Sequence, residues 1–161
     1  MEAPSPEAID EDFELGALAS MSDLEIALRR FPELHLRCSE GPLADARSAS
    51  VDAESGLELP GLPVAPLTPQ GWWLRPATDW LARQLHRCTQ PTQLDPHRVV
   101  WVLTGRISGH GPDCEPLLSC VLPIARLSEN LLIEAEAHYR RHFAAGRGPE
   151  GPSAAAAPSV S

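Results

Sequence analysis

The stretch VVWVLTGRISGHGPDCEPLLSCVL, residues 99–122, decides the fold. Residues 99–103 and 117–122 are rich in the branched and aromatic side chains that favour β-strands. A glycine-rich segment of about a dozen residues separates them, which is long enough for the loop of an antiparallel hairpin. The stretch therefore predicts two paired strands joined by a long polar loop.

Three helices and one more strand are predicted around this hairpin. Residues 22–31, 78–88 and 128–145 carry apolar side chains at helical spacing, with Ser22 as the N-cap of the first helix and a serine likewise at the start of the last. Residues 34–38 alternate apolar and polar side chains, as a half-buried strand does. This order of elements predicts an α+β fold, with a small, mostly antiparallel sheet and about three helices on one face.

The rest of the chain is predicted to be irregular. Prolines and glycines interrupt residues 39–71, which indicates one long Pro-rich loop that lies over the core. The predicted division is an acidic disordered lead over residues 1–20, a single α+β domain over 21–145, and a disordered Gly/Pro/Ala tail over 146–161.

The charged residues exclude several classes of protein. All 13 basic residues are arginine, so a Walker-type phosphate loop, a Schiff-base enzyme and a pyridoxal-phosphate enzyme are excluded, because each needs a lysine. The net charge is −9, and eight of the 22 acidic residues lie within residues 1–28. The remainder is nearly balanced, so the chain has no cationic surface for nucleic acid.

The sequence predicts a soluble cytoplasmic protein that does not bind membranes. No apolar run approaches the ~18 residues that span a bilayer, and the amino terminus lacks a secretion signal. The four cysteines form no CxxC pair. In a reducing compartment they are expected to be free thiols and mostly buried.

Two similar turns suggest a binding site. Residues 37–42 (RCSEGP) and 106–112 (RISGHGP) both place a serine two residues after an arginine and end in Gly-Pro, and Asp45 and Asp113 follow them. The arginines suit an anionic ligand, although two Arg–Asp ion pairs explain the pattern equally well. The predicted ligand-binding residues are Arg37, Arg106, Asp113 and Glu115.

Other chemistry has weaker support in the sequence. Asp113 and Glu115 suit general acid–base catalysis, or they are simply solvated carboxylates on a turn. Two sets of residues contain metal-ligating types, but neither has the paired spacing of a structural zinc module. Those sets are His110, Cys114 and Cys120, and His138 with His142. No metal and no cofactor are predicted.

Five segments resemble a family of short uncharacterised bacterial proteins from GC-rich genomes. Its pattern is RxSxGP…PGL…WW…WVLTGRxxGxGPDxEPL, and the resemblance covers roughly residues 22–140. It implies a single small soluble domain and no particular activity. The matching segments are RCSEGP (37–42) with Asp45, SGLELPGL (55–62), GWW (71–73), WLARQL (80–85) and WVLTGRISGHGPDCEPLL (101–118).

This chain departs from the family pattern at three places. Where the family pattern has a polar segment of the Ser-Val-Asn type after PGL, this chain has Pro63-Val64-Ala65. Where the pattern has a tryptophan before the first serine, this chain has Cys38. The residue between the two acids, typically asparagine, is Cys114. If the family has an active site, the first and third of these departures fall near it, so this chain is a weaker candidate for an enzyme than its relatives.

Two functional hypotheses follow from the sequence. The first is non-enzymatic binding of a protein partner or a small anionic ligand. The second is an NAD-dependent ADP-ribosyltransferase-like enzyme. Some transferases of that kind place an arginine, a serine and a glutamate on an early, a middle and a late strand, an order that Arg37, Ser55 and Glu115 would fill.

Overall fold

The computed structural model describes residues 15–90 and 97–144, and it confirms the α+β class. The strands are β1 (Ala17–Leu18), β2 (His35–Ser39), β3 (Leu62–Pro63), β4 (Ala65–Pro66), β5 (Val99–His110) and β6 (Pro116–Leu127). The helices are α1 (Met21–Arg30), α2 (Pro42–Arg47), α3 (Ala77–Thr89) and α4 (Glu129–Tyr139), and a π-helical turn (Arg140–Ala144) follows α4.

The β5–β6 hairpin is longer than its apolar residues suggest. Each strand has 12 residues, so the connecting loop contains only residues 111–115 and the prediction of a loop of about a dozen residues was wrong. The two strands continue through the polar residues because their backbone groups hydrogen-bond to each other. This pairing does not depend on the type of side chain. Three register shifts interrupt the pairing, and such irregularities add twist to the hairpin.

The sheet is curled, and the short segment 62–66 pairs with strands on both sides of β5. Its order is β1-β6-β5-β2-β4, with β1 parallel to β6 and the other pairs antiparallel. β3 pairs with β6, whereas β4 pairs with β2, and only Val64 separates β3 from β4. Because β2 and β6 flank β5 on opposite sides, residues 62–66 reach both only if the sheet bends around β5.

Alternate residues of β5 enter two separate apolar layers. Val100 and Val102 face the helices, whereas Trp101 and Leu103 face residues 62–66. The first layer is the larger one, and burial of each of its leucines contributes roughly 1.5–3 kcal/mol. Its most buried members are Leu24, Leu34, Leu36, Leu67, Leu81, Leu85 and Leu131.

Serine side chains begin two of the helices. Ser20 caps α1 by accepting a hydrogen bond from the Asp23 amide at 3.1 Å, so the prediction of Ser22 as the cap was wrong. Ser128 caps α4, as predicted, by accepting from the Leu131 amide at 3.1 Å. The first cap lies two residues earlier than predicted because β1 pairs with β6 and fixes the start of α1.

The long loop differs from its prediction, and the described part of the predicted lead contains one short strand. Residues 39–71 contain α2, β3 and β4 as short elements, so they are not one irregular loop. β1 lies inside the predicted acidic lead. Most of that lead and the predicted tail fall outside the described residues. Within residues 15–90 and 97–144, no helix has the length and apolarity needed to cross a membrane.

Gly105 is predicted to be essential for the close approach of β5 and β6. A Cβ atom at this position would lie 2.9 Å from the Ser119 carbonyl oxygen, which is backbone and cannot rotate away. We expect Gly105→Ala to lower the free energy of unfolding in urea by about 1–3 kcal/mol. Gly109→Ala on the same strand is the control, because a Cβ atom there meets nothing within 4 Å. Equal effects of the two substitutions would contradict this reading.

Candidate ligand-binding cleft

Arg37 is held by an ion pair and by the backbone. Its Nε and one terminal nitrogen donate to the two carboxylate oxygens of Asp45 at 3.1 and 3.2 Å. Its other terminal nitrogen donates to the Pro63 carbonyl at 3.1 Å. The first of the two similar turns therefore contains an Arg–Asp ion pair, and this arginine has little freedom to reorient toward a ligand.

The Ser39 hydroxyl completes this network. It donates to Asp45 Oδ2 at 2.6 Å and accepts from the Gly41 amide and from Trp101 Nε1, each at 3.1 Å. The serine is buried, and every hydrogen-bonding position of its hydroxyl has a partner. The spacing of the RCSEGP segment is thus explained by structure: alternate residues of β2, Arg37 and Ser39, face the same carboxylate.

A cleft of about 630 Å³ lies beside β2 and residues 63–66. The Val64 amide donates to the Pro116 carbonyl at 3.1 Å, which brings the tip of the β5–β6 hairpin close to these strands. Arg37, Asp113 and Glu115 consequently line one cleft, although they come from distant parts of the chain. The structure brings together three of the four predicted ligand-binding residues.

The hairpin tip is a tight turn closed by Glu115. The Gly111 amide donates to the Glu115 carbonyl at 2.8 Å, and a Glu115 carboxylate oxygen accepts from the Asp113 amide at 2.9 Å. Cys114 has a φ of 64°, a left-handed conformation that asparagine adopts more easily. The backbone conformation explains why the family pattern has asparagine at this position. With Cys114 in its place, the turn is strained.

Arg106 lies apart from the other predicted residues. Its partner in register is Ser119, and it lies five residues along β5 from Trp101, which is opposite Arg37. That separation corresponds to about 16 Å along the strand. The Arg106 side chain is exposed, does not line the cleft, and has no ion-pair partner among the described residues. The second similar turn therefore does not form an Arg–Asp pair of the kind made by Arg37.

Ser55 also lies outside the cleft. It occupies an exposed turn, where its amide donates to Asp52 Oδ2 at 2.9 Å and its hydroxyl accepts from the Leu57 amide at 3.2 Å. Residues 63–66 line the cleft instead, and none of them carries a hydroxyl group. The structure therefore does not place Ser55 with Arg37 and Glu115, because residues 51–58 fold back on themselves through the Val51–Glu58 bridge.

Sequence reasoning missed the contribution of α3 to the cleft. Gln84 and Arg87 line it from this helix, and the Gln84 amide nitrogen donates to the Pro66 carbonyl at 3.0 Å. Arg87 is exposed and makes no side-chain hydrogen bond or ion pair with the part of the chain that the structure describes. In the sequence, Arg87 reads as an ordinary solvent-facing residue near a helix end, so only the packing of α3 against β2 reveals its position.

Two cysteines form a hydrogen-bonded pair in the cleft wall. The hydrogen bond from Cys88, helped by the charges of Arg98 and Arg37, lowers the pKa of the Cys38 thiol. The same bond, together with burial, raises the pKa of Cys88. All four cysteines are free, as predicted, but the expectation that they are mostly buried was wrong, because Cys114 and Cys120 are exposed.

Comparison with known proteins gives a family and no activity. A family model described as "Family of unknown function (DUF6098)" matches residues 11–150, which is most of the chain. The chain belongs to this family. No curated protein and no solved structure gives a significant match. The cleft of this DUF6098 domain must therefore be interpreted from its own residues.

We expect Ser39→Ala to destabilise the DUF6098 domain by about 2 kcal/mol, because the buried indole N–H of Trp101 and the Asp45 carboxylate would each lose a partner. Urea unfolding measures the change. Ser48→Ala is the matched control, since the Ser48 hydroxyl makes only an exposed bond to the Ala44 carbonyl. A loss no greater than that of the control would show that the network contributes little.

The thiol pair predicts an order of chemical labelling. In a Cys114→Ser/Cys120→Ser background, iodoacetamide should modify Cys38 before Cys88, because the thiolate is the reactive form. Peptide mass spectrometry at several times after mixing gives the order. The same reaction in urea, where the two thiols are equivalent, is the control. Labelling of Cys88 first in the folded protein would reverse the assignment.

Proposed function

We propose that this domain binds a small anionic ligand in the cleft beside β2 and does not catalyse a reaction there. The observation that carries the proposal is the position of Arg87. Arg87 lines the cleft, and its side chain has no hydrogen-bond or ion-pair partner among the described residues. A free guanidinium at the wall of a cleft is suited to a carboxylate or a phosphate.

Arg37 lines the same cleft and contributes in a different way. Three of its five N–H donors are used by Asp45 and Pro63, so its charge is largely compensated. The remaining donors are available to a ligand oxygen without any movement of the side chain. We therefore assign the main ionic contact to Arg87 and a supporting hydrogen bond to Arg37.

The acidic tip of the hairpin restricts the ligand further. Asp113 and Glu115 also line the cleft, and they would repel a ligand that is anionic along its whole length. Burial lowers the pKa of His35, outweighing its hydrogen bond to the Glu33 carbonyl, so this cleft residue adds no positive charge at neutral pH. The cleft suits a ligand that combines an anionic group with hydroxyl or amino donors.

The transferase hypothesis is a second candidate on one observation, which is that Arg37 and Glu115 line the same cleft. Two features oppose it. Ser55 lies outside the cleft, and Pro63 and its neighbours line the cleft instead.

We also propose that the protein works in the cytoplasm, the compartment predicted from the sequence, whichever of the two functions it has.

The binding proposal is tested by thermal shift with four probes: inorganic phosphate, glutamate, a nucleoside monophosphate and NAD. We expect at least one probe to raise the Tm by several degrees at saturation and Arg87→Ala to abolish the rise. Arg106→Ala removes the same charge outside the cleft and should leave the rise intact. A rise that survives Arg87→Ala, or no rise with any probe, would overturn the proposal and leave a protein partner as the alternative.

The NAD sample distinguishes the second candidate. Release of nicotinamide that is lost in Glu115→Gln would establish an NAD-consuming activity. Binding of NAD or another probe without nicotinamide release supports the non-enzymatic proposal.

A further inference from the structure

A group of three metal-ligating side chains lies away from the cleft, where α3 meets the end of α4. Asp79 comes from the first turn of α3, His138 from the last turn of α4, and His142 from the π-helical turn. One ligand atom from each lies within 4.8 Å of the other two. Asp79 Oδ1 is 2.7 Å from His138 Nε2 and 4.0 Å from His142 Nδ1.

The packing of two helices creates this group. α3 and α4 lie side by side, and His138 and His142 are four positions apart, so their rings stack with centroids 4.1 Å apart. Both histidines lie near the carboxyl end of α4, whereas Asp79 lies in the first turn of α3. The partial charges of the two helix ends therefore oppose each other, and the attraction for a cation comes from the side chains. π-helical turns of this kind occur often at functional sites.

Arg75 holds the Asp79 carboxylate in one orientation. Its Nε donates to Asp79 Oδ2 at 3.0 Å, and a terminal nitrogen donates to the His142 carbonyl at 2.9 Å. The guanidinium also lies 4.2 Å from the centre of the Phe143 ring. Asp79 is only 3% exposed, so this arrangement leaves Oδ1 directed at the histidines. Outer contacts of this type orient the ligands of metal sites.

We propose that Asp79, His138 and His142 bind a divalent transition-metal ion of the zinc, cobalt and nickel class. Two imidazoles and one carboxylate are common donors for these ions, which they approach to about 2.0–2.2 Å. In a tetrahedral site, ligand atoms at that range are about 3.3 Å apart. The 2.7 Å separation would have to widen and the 4.0 Å separation to narrow, each by less than an ångström.

Binding requires the proton between two ligand atoms to move. The hydrogen bond between Asp79 Oδ1 and His138 Nε2 holds a proton where the metal would lie. When both atoms become ligands, the neutral His138 imidazole binds the ion through Nε2 and carries its N–H on Nδ1. His142 is about half exposed, with 45% of its side-chain surface accessible. The fourth position is therefore open to water, as it is in zinc sites with three protein ligands.

The test uses the full chain after treatment with a chelator. We expect Co²⁺ to give a saturable visible absorption band at one equivalent, and Zn²⁺ to compete for the site and raise the Tm. His142→Ala should weaken Co²⁺ binding more than about tenfold without unfolding the domain, because this side chain is the most exposed of the three. Asp79→Asn should also lose the band, with circular dichroism to confirm that this buried variant folds.

His110→Ala is the control, since it removes a histidine that lines the cleft beside β2 and should leave cobalt binding unchanged. Three results would overturn the proposal: no saturable band, equal binding by His142→Ala, or a near-ultraviolet thiolate band that assigns the ion to cysteines. A loss of Tm in Asp79→Asn that is the same with and without Zn²⁺ would show that the group is an ion-pair network only.

Discussion

The arrangement of the sheet depends on the hydrogen bonds that the Asp45 carboxylate accepts. It accepts hydrogen bonds from Arg37 and Ser39 of β2, and Ser39 in turn accepts the indole N–H of Trp101 in β5. Through Arg37 the network also reaches the Pro63 carbonyl, which belongs to the segment that closes the curled sheet. Each of these groups is costly to bury without a partner, so the strands and the segment have one common arrangement that satisfies all of them.

The cleft and the metal-ligand group both depend on how the secondary-structure elements pack. Pairing of residues 62–66 with both β2 and β6 brings the acidic hairpin tip close to β2, and α3 adds Arg87 to the same cleft. Near the other end of α3, Asp79 meets the histidines of α4 and the π-helical turn. One helix thus contributes Arg87 to the cleft near its carboxyl end and Asp79 to the histidine group at its amino end.

Local features of the sequence predicted the local structure well. The existence of the hairpin and of the last helix with its Ser128 cap depends on residues close together in the chain. The remaining features depend on distant partners. Nothing next to Arg106 indicates that β5 continues beyond it, and nothing next to Arg87 or Asp79 indicates what faces them. These placements follow from the curl of the sheet and the packing of α3, neither of which is encoded in a short pattern.

The central claim is that the ion pair between Arg37 and Asp45 stabilises the fold. A double-mutant cycle in urea unfolding measures it directly, using Arg37→Met, Asp45→Asn and the double variant. We predict a coupling energy of about 1–3 kcal/mol, because the two groups share two hydrogen bonds at 3.1 and 3.2 Å in a partly buried setting. Additive effects of the two substitutions, with a coupling energy near zero, would contradict the account.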